Sequence, residues 1–95
     1  VRAKRTDRNH ADIRDALRAD GCTVDDLSAV GNGIPDLFVH NPATDVLAYL
    51  EVKDGNNVLT PEQQAWWARW ARLLIAKGVR VEIVRSIEEA REVMK

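Results

Sequence analysis

Ile34-Pro35-Asp36-Leu37-Phe38-Val39-His40 and, beyond Asn41-Pro42-Ala43-Thr44-Asp45-Val46, Leu47-Ala48-Tyr49-Leu50-Glu51-Val52-Lys53 are the two runs that decide the fold. Each is rich in β-branched and aromatic residues and bounded by turn formers, so each reads as a strand. Side chains alternate across a strand, which gathers Ile34, Asp36 and Phe38 on one face of the first run, and Tyr49, Glu51 and Lys53 on one face of the second. A hairpin centred on Ala43-Thr44 sets Phe38 opposite Tyr49 and Asp36 opposite Glu51. Like charges directly opposite one another destabilise a sheet by about 0.2–1 kcal/mol. A bridging cation reverses that sign, which makes the pair of acids the first candidate for chemistry.

Working outward, Ile13, Ala16 and Leu17 recur at helical spacing within 9–20, and Gly21 stops the pattern. Thr6, Asp7 and Asn9 are its possible N-caps. The segment from Cys22 to Val30 reads as a first strand, weakened by Asp25-Asp26 and closed by the turn Gly31-Asn32-Gly33. Downstream, Thr60 as N-cap, Pro61 at the first helical position and Gln63 at N3 form a capping box. On that helix Trp66, Trp67, Trp70, Leu73 and Leu74 share one arc, which predicts a core-facing stripe with Trp66 and Trp70 mostly buried. Val79 to Val84 alternates as a strand, and Ser86-Ile87-Glu88-Glu89 is a second capping box, opening a helix with Ile87, Ala90 and Met94 on one side. The order is αβββαβα. A helix between the third and fourth strands is the connection that parallel strands require, so an α/β fold with a mixed four-stranded sheet flanked by helices is expected.

Ninety-five residues are enough for a single domain spanning 1–95 with one modest core. At 45% hydrophobic and 31% charged, the chain is neither disordered nor membrane-like, and no apolar run approaches the roughly 18 residues of a span. The lone Cys22 forms no internal disulfide, and no signal peptide is recognisable. A reducing cytoplasm is the expected compartment. A net charge of −1 argues against a protein that binds nucleic acid mainly by wrapping it electrostatically. Basic residues nonetheless cluster locally, at Arg2, Lys4, Arg5 and Arg8, at Arg14 and Arg18, and at Arg69 and Arg72.

Pro35-Asp36 followed by Glu51-Val52-Lys53 resembles the PD-(D/E)XK nuclease signature. Gly33-Ile34-Pro35-Asp36-Leu37, with Thr60-Pro61-Glu62-Gln63 downstream, is similar in particular to small phage-type VRR-NUC domains, a likeness running from about Asp7 to Ala90. The resemblance implies a restriction-endonuclease-like αβββαβ core and a Mg²⁺- or Mn²⁺-dependent endonuclease acting on DNA, with branched, junction or flap structures among its substrates. It implies metal ligation by Asp36 and Glu51, with the Val52 carbonyl and Asp7 as further ligands, and it brings Gln63 near the site. Asp7 also has the plainer reading of a helix cap, and His10, a turn later, would face the site with it. Lys53, on the face of Glu51, would stand beside the attacked phosphate or the nucleophilic water. Mg²⁺ is a hard cation that keeps several waters, so one or two carboxylates suffice for it. A bacterial or phage-infected cell is the implied setting.

The same residues admit a blander reading, in which Asp36 is a turn residue and Glu51 and Lys53 are a solvated stripe. Phe38 and Tyr49 argue against it, because they would lie on the supposedly wet face. Ser28 and Ser86 lack a His–acid arrangement at any motif, and Gly31-Asn32-Gly33 lacks the length and the Lys of a phosphate loop. Gln63 is explained either by the cap or by a polar site at the edge of the core. The competing function is a catalytically silent nucleic-acid- or protein-binding module with the same fold. A homodimer is expected, because Ile75 and several alanines leave a weakly apolar surface on the Thr60 helix, and because small family members are similar in acting as dimers.

Overall fold

The two acid-bearing runs pair as antiparallel neighbours, with Phe38 opposite Tyr49 and Leu37 opposite Leu50, the register that the Ala43-Thr44 centre predicts. The computed structural model describes residues 8–95. Its elements are α1 (His10–Ala19), β1 (Thr23–Asp26), β2 (Leu37–Asn41), β3 (Val46–Val52), α2 (Pro61–Ala76), β4 (Val79–Val84) and α3 (Ile87–Val93). The strands lie in the order β1-β2-β3-β4. β1 and β3 flank β2 antiparallel, and β4 runs parallel to β3. The mixed sheet follows from α2, which returns the chain to the starting end of β3.

Alternation divides the sheet into two unlike faces. Val24, Leu37, Val39, Ala48, Leu50, Val52 and Val84 point to one side and form the core with Ile13 and Leu17 of α1 and Ala90 and Val93 of α3. The other side carries Phe38, Tyr49 and Glu51, with α2 as the helix above them. There Phe38 and Tyr49 lie 4.6 Å apart between ring centroids, and Trp66 of α2 meets Tyr49 edge-on at 5.4 Å.

Two strands are shorter than their apolar runs. β1 stops at Asp26 rather than reaching Val30, because the Asp26 carboxylate turns to accept from the Ser28 amide and hydroxyl while the Leu27 amide donates to the Asp36 carbonyl. β2 begins at Leu37 rather than Ile34. Pro35 has no N–H for the ladder, and the Asp36 side chain, not a backbone carbonyl, accepts from the Val52 amide.

The helix starts follow the predicted chemistry with one shift. At α2 both halves of the capping box form between Thr60 and Gln63. At α3 the Ser86 hydroxyl accepts from the Glu89 amide, but the Glu89 carboxylate reaches the Arg85 amide, one residue before the cap. The expected tryptophan stripe is corrected. Trp66 is buried, Trp67 is half-buried, and Trp70 and Leu73 remain 43% and 48% exposed. A helical arc specifies direction only. Among the described residues a single helix lies on this side of the sheet, so residues at the flank of its arc extend past the surface available to cover them.

Candidate active site

Asp36, Glu51, Lys53 and Gln63 are buried polar residues on the α2 side of the sheet, at the end where β2 begins and β3 finishes. Alternation aims Glu51 and Lys53 toward α2, and Asp36 immediately precedes Leu37, the β2 residue that pairs with Leu50. Glu51 and Lys53 are only 1% and 6% exposed, which removes the reading of a solvated stripe, and Asp36 is buried as well. Burying two carboxylates together is costly unless hydrogen bonds or a cation compensate.

Specific contacts hold each acid. Asp36 Oδ2 accepts from the Val52 amide at 2.9 Å, filling the ladder position that Pro35 and the diverging chain leave open. Glu51 Oε2 accepts from Gln63 Nε2 at 3.2 Å, while Gln63 Oε1 accepts from the Thr60 amide at 2.9 Å. Gln63 therefore makes both contacts that the sequence left as alternatives, the helix cap and a polar bond at the edge of the core, one with each end of its amide. Lys53 follows directly after β3, its amide donating to the Val84 carbonyl.

The start of α1 meets this same end of the sheet. Asn9, the N-cap, makes no capping bond with its side chain. Its Nδ2 donates instead to the Lys53 and Arg85 carbonyls at 3.3 and 2.9 Å. The loop after Lys53 is tied by Arg8 to Asp54 and by Arg85 to the carbonyls of Gly55 and Asn57. Asp7, the remaining ligand suggested from the sequence, lies outside the described residues.

His10 does not join the acids. Its Nε2 lies 3.0 Å from Asp26 Oδ2, and Asp26 pairs with Leu37 in the row facing α1 and α3, on the opposite side of the sheet. Burial pushes the Asp26 carboxyl up, but the Ser28 hydroxyl and amide, His10 and Arg14 outweigh it and hold the group well below the usual carboxylate range. This cluster pins α1 to the end of β1.

Oxygen donors dominate what a cation would meet. Two carboxylates and the Val52 carbonyl suit a hard divalent ion that retains its own waters. Among the described residues, no group of three or more His, Cys, Asp and Glu side chains is arranged to hold a metal.

The model of the VRR-NUC domain family matches residues 5–88. This chain belongs to the VRR-NUC family. That family lies within the PD-(D/E)XK nuclease superfamily. A solved structure described as a VRR-NUC domain is similar to it at 30% identity and a TM-score of 0.67, over 90% of this chain and 89% of that one. Curated protein sequences gave no match. Within the VRR-NUC fold, the structure adds Thr60, Asn9 and Gly33 to the neighbourhood of the acids. Thr60 was legible as a cap, but its link to Glu51 through Gln63 was not. Asn9 was legible only as one of three caps, because its two carbonyl partners lie 44 and 76 residues away.

Proposed function

We propose that the chain is a Mg²⁺- or Mn²⁺-dependent endodeoxyribonuclease that hydrolyses phosphodiester bonds. The observation that carries this reading is the burial of both Asp36, held on the Val52 amide, and Glu51, held by Gln63, in a VRR-NUC chain. A cation held by Asp36, Glu51 and the Val52 carbonyl, with Asp7 as a further ligand, would neutralise charge on the scissile phosphate and acidify a water beside it. The chain's own residues do the positioning. Val52 fixes the Asp36 carboxylate in one rotamer, Gln63 fixes that of Glu51, and Lys53 supplies a cationic head two residues along the face of Glu51. Attack of water on phosphorus forms one P–O bond and breaks the bond to the leaving oxygen. Lys53 would stabilise the added negative charge.

Branched DNA, a four-way junction or a flap, is the substrate class we assign, with two copies of the chain acting on two equivalent strands. Trp70, Leu73 and Ile75, all exposed on α2, support a homodimer. Cys22, a buried free thiol whose pKa burial raises, suits a reducing cytoplasm. A cleavage screen with Mg²⁺ or Mn²⁺ on duplex, single-stranded, flap and four-way-junction DNA tests the proposal. Cleavage that requires metal and is lost in Glu51→Gln is expected. Binding of DNA without cleavage of any substrate would instead identify a silent binding module.

A further inference from the structure

Gly33 is buried, and it sits at φ +77° against the first turn of α2. A Cβ added there would overlap the Glu62 carbonyl oxygen, and would lie 2.6 Å from that carbonyl carbon and 3.0 Å from the Gln63 nitrogen. These are backbone atoms inside a capped helix, so no side chain can swing away to make room. From Gly33 the chain runs directly through Ile34 and Pro35 to Asp36.

We infer that Gly33 is a positioning residue, whose missing side chain sets how closely the first turn of α2 approaches the Pro35-Asp36 segment and so keeps the Gln63 amide on Glu51. Gln63 has no slack to absorb a shift. One end of its amide is bound to Thr60, and the bond from the other end to Glu51 is already 3.2 Å long. Moving the turn outward by about 1 Å takes that contact beyond hydrogen-bonding distance. Moving the loop instead drags Asp36 from the Val52 amide. Either way one of the two acids loses the hydrogen bond that orients it, while the core lies on the other side of the sheet.

Gly31 is a control built into the same turn. Its φ of +78° matches that of Gly33, but a Cβ there meets nothing within 4 Å. Alanine at Gly31 therefore carries the backbone strain alone, whereas alanine at Gly33 carries the strain and the collision.

The kinetic consequence rests on the nuclease reading, but the geometry does not, so two readouts are used. In steady-state cleavage of the preferred DNA, Gly33→Ala should lower kcat about 10- to 100-fold with KM little changed, and Gly31→Ala should leave both near wild type. In NMR spectra of protein labelled with ¹⁵N at glutamine, the Gln63 side-chain amide should move to free-amide shifts in Gly33→Ala and stay in place in Gly31→Ala. If the wild-type chain cleaves no DNA, the spectra alone decide. Should Gly33→Ala fail to fold, the wild-type Gln63 amide decides, with slow solvent exchange expected of a clamped side chain. Equal effects of the two alanines on kcat and on the amide signals, or a wild-type Gln63 amide exchanging at the solvent rate, would overturn the inference.

Discussion

Gln63 Nε2 donates to Glu51 Oε2 at 3.2 Å while the same side chain caps its own helix through the Thr60 amide. One residue thus joins helix initiation to the orientation of a buried acid. The coupling can be split chemically. Gln63→Glu keeps an acceptor for the Thr60 amide but turns a second carboxylate toward Glu51. Close, buried like charges force one of the pair to a raised pKa. A carboxylate with a raised folded pKa destabilises increasingly as pH rises from its unfolded value, about 4.3 for Glu. The melting temperature of Gln63→Glu should therefore match wild type near pH 4 and fall progressively below it toward pH 8, with Mg²⁺ narrowing the gap. Thermal denaturation at several pH values, with and without Mg²⁺, measures this.

Asp36 and Glu51 differ in what their neutral analogues lose. Glu51→Gln removes one of two neighbouring negative charges and should keep or slightly raise stability while abolishing cleavage. Asp36→Asn should behave in the same way, because its amide oxygen can still accept from Val52. Asp36→Ala leaves the buried Val52 amide without that acceptor, at a cost of about 1–3 kcal/mol. Denaturant unfolding should separate Asp36→Ala from Asp36→Asn, although neither cleaves DNA.

Trp66 and Trp70 are predicted to part company. Trp66→Ala empties a buried site against Tyr49 and should cost about 3–5 kcal/mol, enough to threaten so small a domain. Trp70→Ala, at a half-covered position, should cost about 1 kcal/mol or less in the monomer. If the exposed face of α2 is the dimer contact, that variant shifts sedimentation toward monomer at micromolar concentration. An unchanged wild-type monomer at every concentration, with and without junction DNA, would remove the dimer and weaken the two-strand substrate with it.

Acid should weaken the anchorage of α1 at Asp26. Its folded pKa is depressed despite burial, by Ser28, His10 and Arg14. The stability it contributes is therefore fully present above its unfolded pKa of about 3.9 and is lost as pH falls below that value. Asp26→Asn should lower stability by about 1–3 kcal/mol at pH 7, and its stability should change less than that of wild type between pH 5 and pH 2. Chemical denaturation across that range is the measurement.

The register of the central hairpin was legible because a hairpin is specified locally. Alternation set the faces and Ala43-Thr44 set the register, which the structure keeps from Leu37 opposite Leu50 to Asn41 opposite Val46. The α2 start was equally legible, since Thr60, Pro61 and Gln63 act within a single turn. The ends of β1 and β2 were less so. They depend on side chains of Asp26 and Asp36 competing with the ladder for backbone amides, and alternation carries no sign of that competition.

By itself the sequence determined the element order, the mixed sheet and the register of the central hairpin, because capping, turn chemistry and strand alternation act over a few residues. Only the tertiary structure decided that Trp66 is buried and Trp70 is not, that His10 serves Asp26 on the far side of the sheet, and that Gly33 lies on the Gln63 turn. Each depends on which surface from elsewhere in the chain covers a residue and how closely it approaches, and local periodicity specifies the direction of a side chain but not its neighbour.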